Sequence, residues 1–150
     1  MSALTTRAPA FPTHPGLEVV ELDGRQIGSI RPVAGRWQAC LGKGARAFVL
    51  ARLETREAVL ALLGRADGLR DVALRAMDYR TSEAVSVRLS EVRSLSVSKP
   101  VGLRNLHSPH CVVATLPSGR LALLPPAGQE TPEVTALVTE LHRSVQWGNP

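Results

Sequence analysis

The sequence predicts an α+β fold in which antiparallel β hairpins and sheets pack against two or three helices. Three observations predict this class. Several stretches alternate apolar and polar residues, as half-buried strands do, and short turns rich in glycine and proline join them. Two other stretches repeat their apolar side chains at the spacing of an amphipathic helix. The composition of the 150 residues, 44% hydrophobic and 21% charged, is that of a globular protein.

Four short strands are predicted in the first half of the chain. The first covers residues 17–22, and the Asp-Gly pair after it predicts a hairpin, because a type I′ turn needs positive φ at both central positions. The second strand covers residues 25–31. Residues 36–41 alternate between two faces, and residues 47–50 are apolar enough for a fourth strand.

A helix is predicted to begin at Thr55, whose hydroxyl can accept a hydrogen bond from a free amide of the first turn. Gly64 is expected to weaken or end this helix. Residues 67–78 are then predicted to form a further short helix. The apolar stripe of the first helix consists of Val59, Leu62, Leu63 and Ala66.

The second half of the chain returns to strands and ends in a strongly amphipathic helix. Strands are predicted over residues 85–89, 93–98, 111–116 and 120–124. The last helix is predicted to begin with Thr131 as its cap and Pro132 at its first position, where a backbone N–H has no partner to lose. Its apolar stripe consists of Val134, Leu137, Val138 and Leu141.

This order of elements predicts three parts. Residues 1–16 contain three prolines and are expected to form a flexible N-terminal arm. A hairpin sheet with one helix follows over residues 17–66, and residues 67–150 form a second unit of helix, sheet and C-terminal helix. Similar motifs at residues 54–58 and 130–134 open the two long helices. They indicate either a duplicated sheet-plus-helix unit or two helices that use the same capping chemistry.

Basic side chains are concentrated in two segments that lack acidic ones. Residues 24–53 carry six basic and no acidic side chains, and residues 92–129 carry four basic and no acidic ones. A polyanion-binding surface needs this separation, because neighbouring carboxylates would cancel its field. A solvated sheet face whose arginine stems cover apolar surface would give the same pattern. The first segment contains Arg25, Arg31, Arg36, Lys43, Arg46 and Arg52.

The composition adds two expectations. Sixteen of the 18 basic residues are arginine, which is typical of a bacterial or phage genome of high GC content. The chain has only two tryptophans, one tyrosine and two phenylalanines. Single-strand binders stack bases on several aromatic side chains, so a nucleic-acid ligand is expected to be duplex, contacted mainly through its backbone.

A motif with known counterparts occupies residues 24–63. It runs from Gly35-Arg36-Trp37-Gln38-Ala39-Cys40-Leu41 through Ala47-Phe48 to Leu53-Glu54-Thr55-Arg56-Glu57-Ala58. This motif resembles the DNA-binding domain shared by AP2-type factors and the N-terminal arms of some phage-type integrases.

The resemblance implies a three-stranded antiparallel sheet packed on one helix, with the sheet in the major groove. It implies base or backbone contacts from Arg36, Trp37 and Gln38, with Arg25 and Arg31 on the preceding strand. Ala39, Leu41 and Phe48 would form the core. Residues 45–53 are longer and more apolar than the family's short strand, and the second half of this chain has no counterpart in the family.

Catalytic and metal chemistry find little support in the sequence. No phosphate-binding loop, dinucleotide fingerprint or zinc-protease motif occurs. His107, His110 and Cys111 could contribute zinc ligands or a thiol–imidazole pair, but they lack the spacing that zinc sites repeat, and adjacent strand residues point to opposite faces. We therefore expect no catalytic residues, no metal and no cofactor.

The sequence thus predicts a non-catalytic nucleic-acid-binding protein, an accessory or regulatory factor of bacterial or phage origin that binds duplex DNA. The alternative is a protein–protein interaction or assembly module, including a homo-oligomer, that uses the C-terminal helix or a sheet edge. Because no signal peptide and no transmembrane stretch occur, a cytoplasmic location without a membrane partner is expected. The predicted contact residues are Arg25, Arg31, Arg36, Gln38, Lys43 and Arg46.

Overall fold

The computed structural model describes residues 3–10, 14–78, 80–98 and 111–148. These residues form two antiparallel five-stranded sheets and two α-helices, so the predicted α+β class is confirmed. The chain divides into two compact units, residues 1–68 and 69–150. Each unit consists of one sheet and one helix.

The first unit is a five-stranded meander followed by a helix. Its strands lie in the sheet in chain order, and the helix α1 (Arg56–Gly68) contacts the last three of them. Asp23 and Gly24 both have positive φ, 53° and 84°, as expected for the Asp-Gly hairpin. The strands are β1 (Leu4–Arg7), β2 (Glu18–Leu22), β3 (Arg25–Val33), β4 (Arg36–Leu41) and β5 (Phe48–Leu53).

Gly28 shows which face of this sheet carries α1. A Cβ atom at Gly28 would overlap the carbonyl oxygen of Cys40 and lie 3.0 Å from Cδ1 of Leu63, a buried residue of α1. The helix and the sheet therefore approach closely at this position. Directly opposed residues of an antiparallel ladder share a face, so the strand register assigns every paired residue either to the α1 face or to the opposite face.

Ion pairs fasten both ends of α1 to the sheet. At the start of the helix, Arg56 donates from Nε and Nη2 to the two carboxylate oxygens of Glu18, at 3.0 and 2.7 Å. Arg25 donates from both terminal nitrogens to the carboxylate of Asp67 near the end of the helix, at 3.3 and 2.9 Å. The Asp67 side chain is only 5% exposed, so the guanidinium of Arg25 compensates a nearly buried charge.

The second unit has a different strand order, β7-β6-β10-β9-β8. Its helix, α2, packs on β8 and β9, and the predicted apolar stripe of residues 134–141 is buried. The elements are β6 (Leu74–Asp78), β7 (Ala84–Val87), β8 (Ser94–Ser98), β9 (Cys111–Leu116), β10 (Gly119–Leu123) and α2 (Pro132–Gly148).

Each unit ends in a three-stranded meander followed by a capped helix. The hydroxyl of Thr55 accepts a hydrogen bond from the amide of Ala58, and that of Thr131 accepts one from the amide of Val134. The remaining strands differ, because β2 extends the first meander beside β3 whereas β6 extends the second beside β10. The shared part is therefore the meander with its helix, and the complete sheets do not have the same topology.

Two sequence predictions about elements are wrong. Residues 4–7, assigned to a flexible arm, form β1, which pairs with β2 and is tied to the hairpin by the amide of Ala3, a donor to Asp23. Residues 67–78 do not form a separate helix. Residues 67 and 68 complete α1, a turn follows, and residues 74–78 form β6, in which Leu74 and Ala76 alternate into the core. Gly64 is expected to weaken or end α1, and of these two outcomes only the second is excluded, because the helix continues to Gly68.

Candidate nucleic-acid interface

Several of the predicted contact residues come together on the sheet face opposite α1. Arg31 pairs with Gln38 across β3 and β4, and Gln38 pairs with Arg52 across β4 and β5. Arg36 lies on the same face, two residues along β4. We call this surface the basic face, and on β3, β4 and β5 it consists of Ser29, Arg31, Val33, Arg36, Gln38, Cys40, Val49 and Arg52. On β2 the same side of the sheet carries Val19 and Glu21, and Glu21 forms an ion pair with Arg7.

Gln38 lies at the centre of the basic face and is held by its neighbours. It is 4% exposed, and its side-chain oxygen accepts a 2.9 Å hydrogen bond from Nε of Arg52. Its amide nitrogen lies 3.9 Å from the sulfur of Cys40. Gln38 is thus positioned to orient Arg52 and is less accessible to a ligand than the arginines around it.

Cys40 provides a partly buried thiol on this face. Burial raises the pKa of the Cys40 thiol, while a hydrogen bond with Gln38 and the nearby charge of Arg31 act in the opposite direction. The thiol therefore stays protonated at neutral pH and is a poor nucleophile.

A β-bulge moves Arg25 off the basic face. Simple alternation would place Arg25 and Arg31, six positions apart, on the same face. Val20 pairs with Gly28 and Glu21 pairs with Gln26, so Ile27 is an extra residue in β3. Arg25 consequently lies on the α1 face, where it binds Asp67.

A second bulge brings Arg52 onto the basic face. Ala39 pairs with Ala51 and Cys40 pairs with Val49, so Leu50 is an extra residue in β5. Arg52 therefore faces the same side as Gln38. Arg52 is not among the predicted contact residues, and only the strand register brings it beside Gln38.

Lys43 and Arg46 lie beyond the end of β4, in a segment that contains a 3-10 turn over Gly44–Arg46. Both are exposed. From Arg36 to Leu41 the strand spans roughly 17 Å at about 3.3 Å per residue, and Lys43 and Arg46 lie past the Leu41 end, outside the strand register that defines the basic face. Within the described ranges, no carboxylate forms an ion pair with Lys43, Arg46, Arg31 or Arg36.

Trp37 lies on the α1 face, opposite Pro32 and Leu53. The resemblance to the three-stranded DNA-binding domain implies that this tryptophan contacts DNA together with Arg36 and Gln38. In this fold the two neighbours of Trp37 point to the other side of the sheet, so the three residues do not share one surface.

The second acid-free segment belongs to the other unit. Arg93 and Arg120 are exposed near one end of the second sheet, since Arg93 donates its amide to Thr115, which pairs with Arg120. Lys99 and Arg104 lie outside the described residues.

The described residues contain no group of three His, Cys, Asp or Glu side chains that could hold a metal ion. His107 and His110 of the predicted cluster lie outside them, and Cys111 is described only as the first residue of β9. Neither α1 nor α2, as far as the chain is described, is long and apolar enough to cross a membrane.

Comparisons with known proteins return no match to this chain among protein-family models, curated proteins or solved structures.

Proposed function

We propose that this protein is a non-catalytic nucleic-acid-binding protein of bacterial or phage origin, an accessory or regulatory factor that contacts duplex DNA through the basic face. The observation that carries the proposal is the gathering of Arg31, Arg36 and Arg52 on one sheet face, with no acidic residue anywhere between positions 24 and 53. A helix covers the other face, whereas Arg31, Arg36 and Arg52 are each partly exposed.

The geometry suits a duplex. The major groove admits a two-stranded β ribbon, and arginine can bind a phosphate or a guanine through two parallel hydrogen bonds. Arg31, Arg36 and Arg52 would enter the groove or meet its walls, while Lys43 and Arg46 would reach phosphates farther along. Hydrogen bonding by Gln38 limits the rotamers of Arg52 before binding, which reduces the entropy lost on contact.

The proposal is tested by replacing Arg31 and Arg36 with alanine together. We expect duplex affinity at low salt, measured by fluorescence anisotropy, to fall about tenfold or more. The control is R65A, which removes one positive charge from an exposed position on α1 of the same unit, away from the basic face. Equal losses in both variants, or no duplex binding by the wild-type protein at low ionic strength, would remove the proposal.

The sheet edge favours a second candidate, self-association. In the described part of the first unit, β5 ends the sheet, and all of its residues except Arg52 are apolar. Val49 on this strand is 41% exposed. An apolar edge strand is a template for pairing with another chain. Light scattering tests this candidate, since a constant monomer mass across a wide concentration range would exclude it.

A further inference from the structure

The second unit contains a cavity at the end of its sheet where two turns meet. The cavity has a volume of about 400 Å³ and is lined by Asp78, Arg80, Ser118, Gly119, Arg120 and Leu121. One turn joins β6 to β7, the other joins β9 to β10, and the pairing of Leu121 with Asp78 brings them side by side.

The lining combines two guanidinium groups, one hydroxyl and one carboxylate. Arginine is the side chain best suited to bind a phosphate through paired hydrogen bonds, and a serine hydroxyl can add a third donor. At Gly119, whose φ is 147°, a Cβ would meet nothing within 4 Å, so the backbone here borders open space. The mouth of the cavity thus offers several donors to an anion.

Asp78 adds a negatively charged group to the cavity, which accepts hydrogen bonds where the arginines donate them. Its Oδ1 accepts hydrogen bonds from the amides of Arg80 and Thr81, at 2.7 and 3.2 Å. These bonds hold the pKa of the Asp78 carboxyl below its usual value. Asp78 is therefore a fixed carboxylate, and its other oxygen can accept hydrogen bonds from ligand hydroxyl groups.

The volume of the cavity favours a ligand larger than a bare anion. A cavity of about 400 Å³ is larger than a phosphate ion requires and lies within the range of small-molecule sites. We propose that this cavity binds a small sugar phosphate, whose phosphate meets Arg80 and Arg120 and whose hydroxyl groups meet Asp78. The cavity lies in the second unit, and the basic face lies in the first.

Nuclear magnetic resonance of the full chain tests the site, with ribose 5-phosphate and inorganic phosphate as probes. We expect both to shift the amide signals of residues 78, 80–82 and 118–121 saturably, and ribose 5-phosphate to bind about tenfold more tightly, because hydrogen bonds to a charged group are strong. R120A and R80A should each weaken both probes by roughly tenfold. D78N should remove the preference for the sugar phosphate while leaving inorganic phosphate bound.

The control variant is R88A, which removes an exposed arginine of the same unit that does not line the cavity and that follows β7, at the end of this strand away from the turn that joins it to β6. It should change neither affinity by more than about twofold, given that exposed charges interact weakly at a distance. The proposal is overturned if the wild-type protein shows no saturable shifts, or if R88A weakens binding as much as R120A. A duplex that shifts these same amides more strongly than ribose 5-phosphate would also overturn it. If the DNA-binding experiments give a negative result, the expected binding of ribose 5-phosphate is unchanged. Each proposal can therefore be rejected without rejecting the other.

Discussion

At the scale of single residues, the arginines discussed in the first unit fall into two groups. Arg25 and Arg56 form hydrogen-bonded ion pairs that attach α1 to the sheet, whereas Arg31 and Arg36 have no carboxylate partner in the described part of the chain. A ligand that binds Arg31 and Arg36 would not have to break an ion pair first. The lack of an ion pair therefore identifies candidate binding residues better than the number of arginines in the segment does.

The Glu18–Arg56 pair makes stability depend on pH. The hydrogen bonds from Arg56 hold the pKa of Glu18 below its ordinary value of 4.5. A lowered folded-state pKa means that the pair stabilises the protein above the unfolded pKa and loses this effect as the pH falls through the folded pKa. We expect E18Q to lower the free energy of unfolding by about 1 kcal/mol at neutral pH.

Urea unfolding of wild type and E18Q measures this difference across pH. It should shrink toward zero as the pH drops below 4.5, the ordinary value for this carboxyl. E54Q, which neutralises an exposed carboxylate just before α1, serves as the control and should change stability little. A loss in E18Q that stays constant into the acid range would contradict the assigned role of the ion pair.

At the scale of elements, two glycines of the first unit are expected to respond in opposite ways to an added methyl group. A Cβ at Gly28 would overlap the carbonyl oxygen of Cys40, so G28A must separate the strands or push α1 outward. At Gly64, within α1, a Cβ would meet nothing within 4 Å. We expect G28A to destabilise the protein by about 2 kcal/mol or more and G64A to stabilise it by roughly 0.5–1 kcal/mol.

Thermal and urea unfolding of the two variants provide the measurement, and each variant is the control for the other. Both changes add one methyl group at a glycine of the same unit. If G28A is as stable as the wild type, the close approach of sheet and helix described above is incorrect.

The elements that the sequence predicts best are those with a strong local signal. The Asp-Gly hairpin, the strand over residues 36–41 and the Thr131-Pro132 start of α2 are found as expected. The segment 69–78 was misassigned because its apolar residues fit a helix spacing and a strand spacing equally over so short a window. β1 was missed because its few residues become a strand only through pairing with β2.

The candidate site was harder to predict, since it depends on register. Alternation alone places Arg31, Arg36 and Gln38 correctly on one face. It fails for Arg25 and Arg52, because the extra residues at Ile27 and Leu50 are consequences of strand pairing that leave no signature in the local sequence. Long-range partners such as Asp67 are equally invisible to reasoning from spacing.

At the scale of the whole molecule, charge alone does not identify the binding unit. Residues 1–68 carry nine basic and six acidic side chains, and residues 69–150 carry nine and seven. The arrangement on one face, rather than the total, therefore has to account for any preference for nucleic acid.

Salt dependence tests this arrangement in the intact protein. Duplex affinity should fall linearly on a logarithmic plot against salt concentration, because phosphate contacts release counterions. The slope of the variant lacking Arg31 and Arg36 should be smaller than that of the wild type by about two units. R65A should keep the wild-type slope. An unchanged slope in the double variant would mean that these arginines do not contact phosphates.

The two bulges are also the positions at which β3 or β5 can lose one residue without moving the neighbouring side chains to the other face of the sheet. If Ile27 or Leu50 were lost, regular pairing would resume and Arg25, Arg31 and Arg52 would keep the faces they now occupy, at the cost of some apolar contact. The loss of one residue between Gly28 and Arg31 would not be tolerated in this way. It would move the side chains at one end of β3 to the opposite face of the sheet. Natural relatives that share this surface should therefore tolerate gaps at positions 27 and 50 and none between 28 and 31.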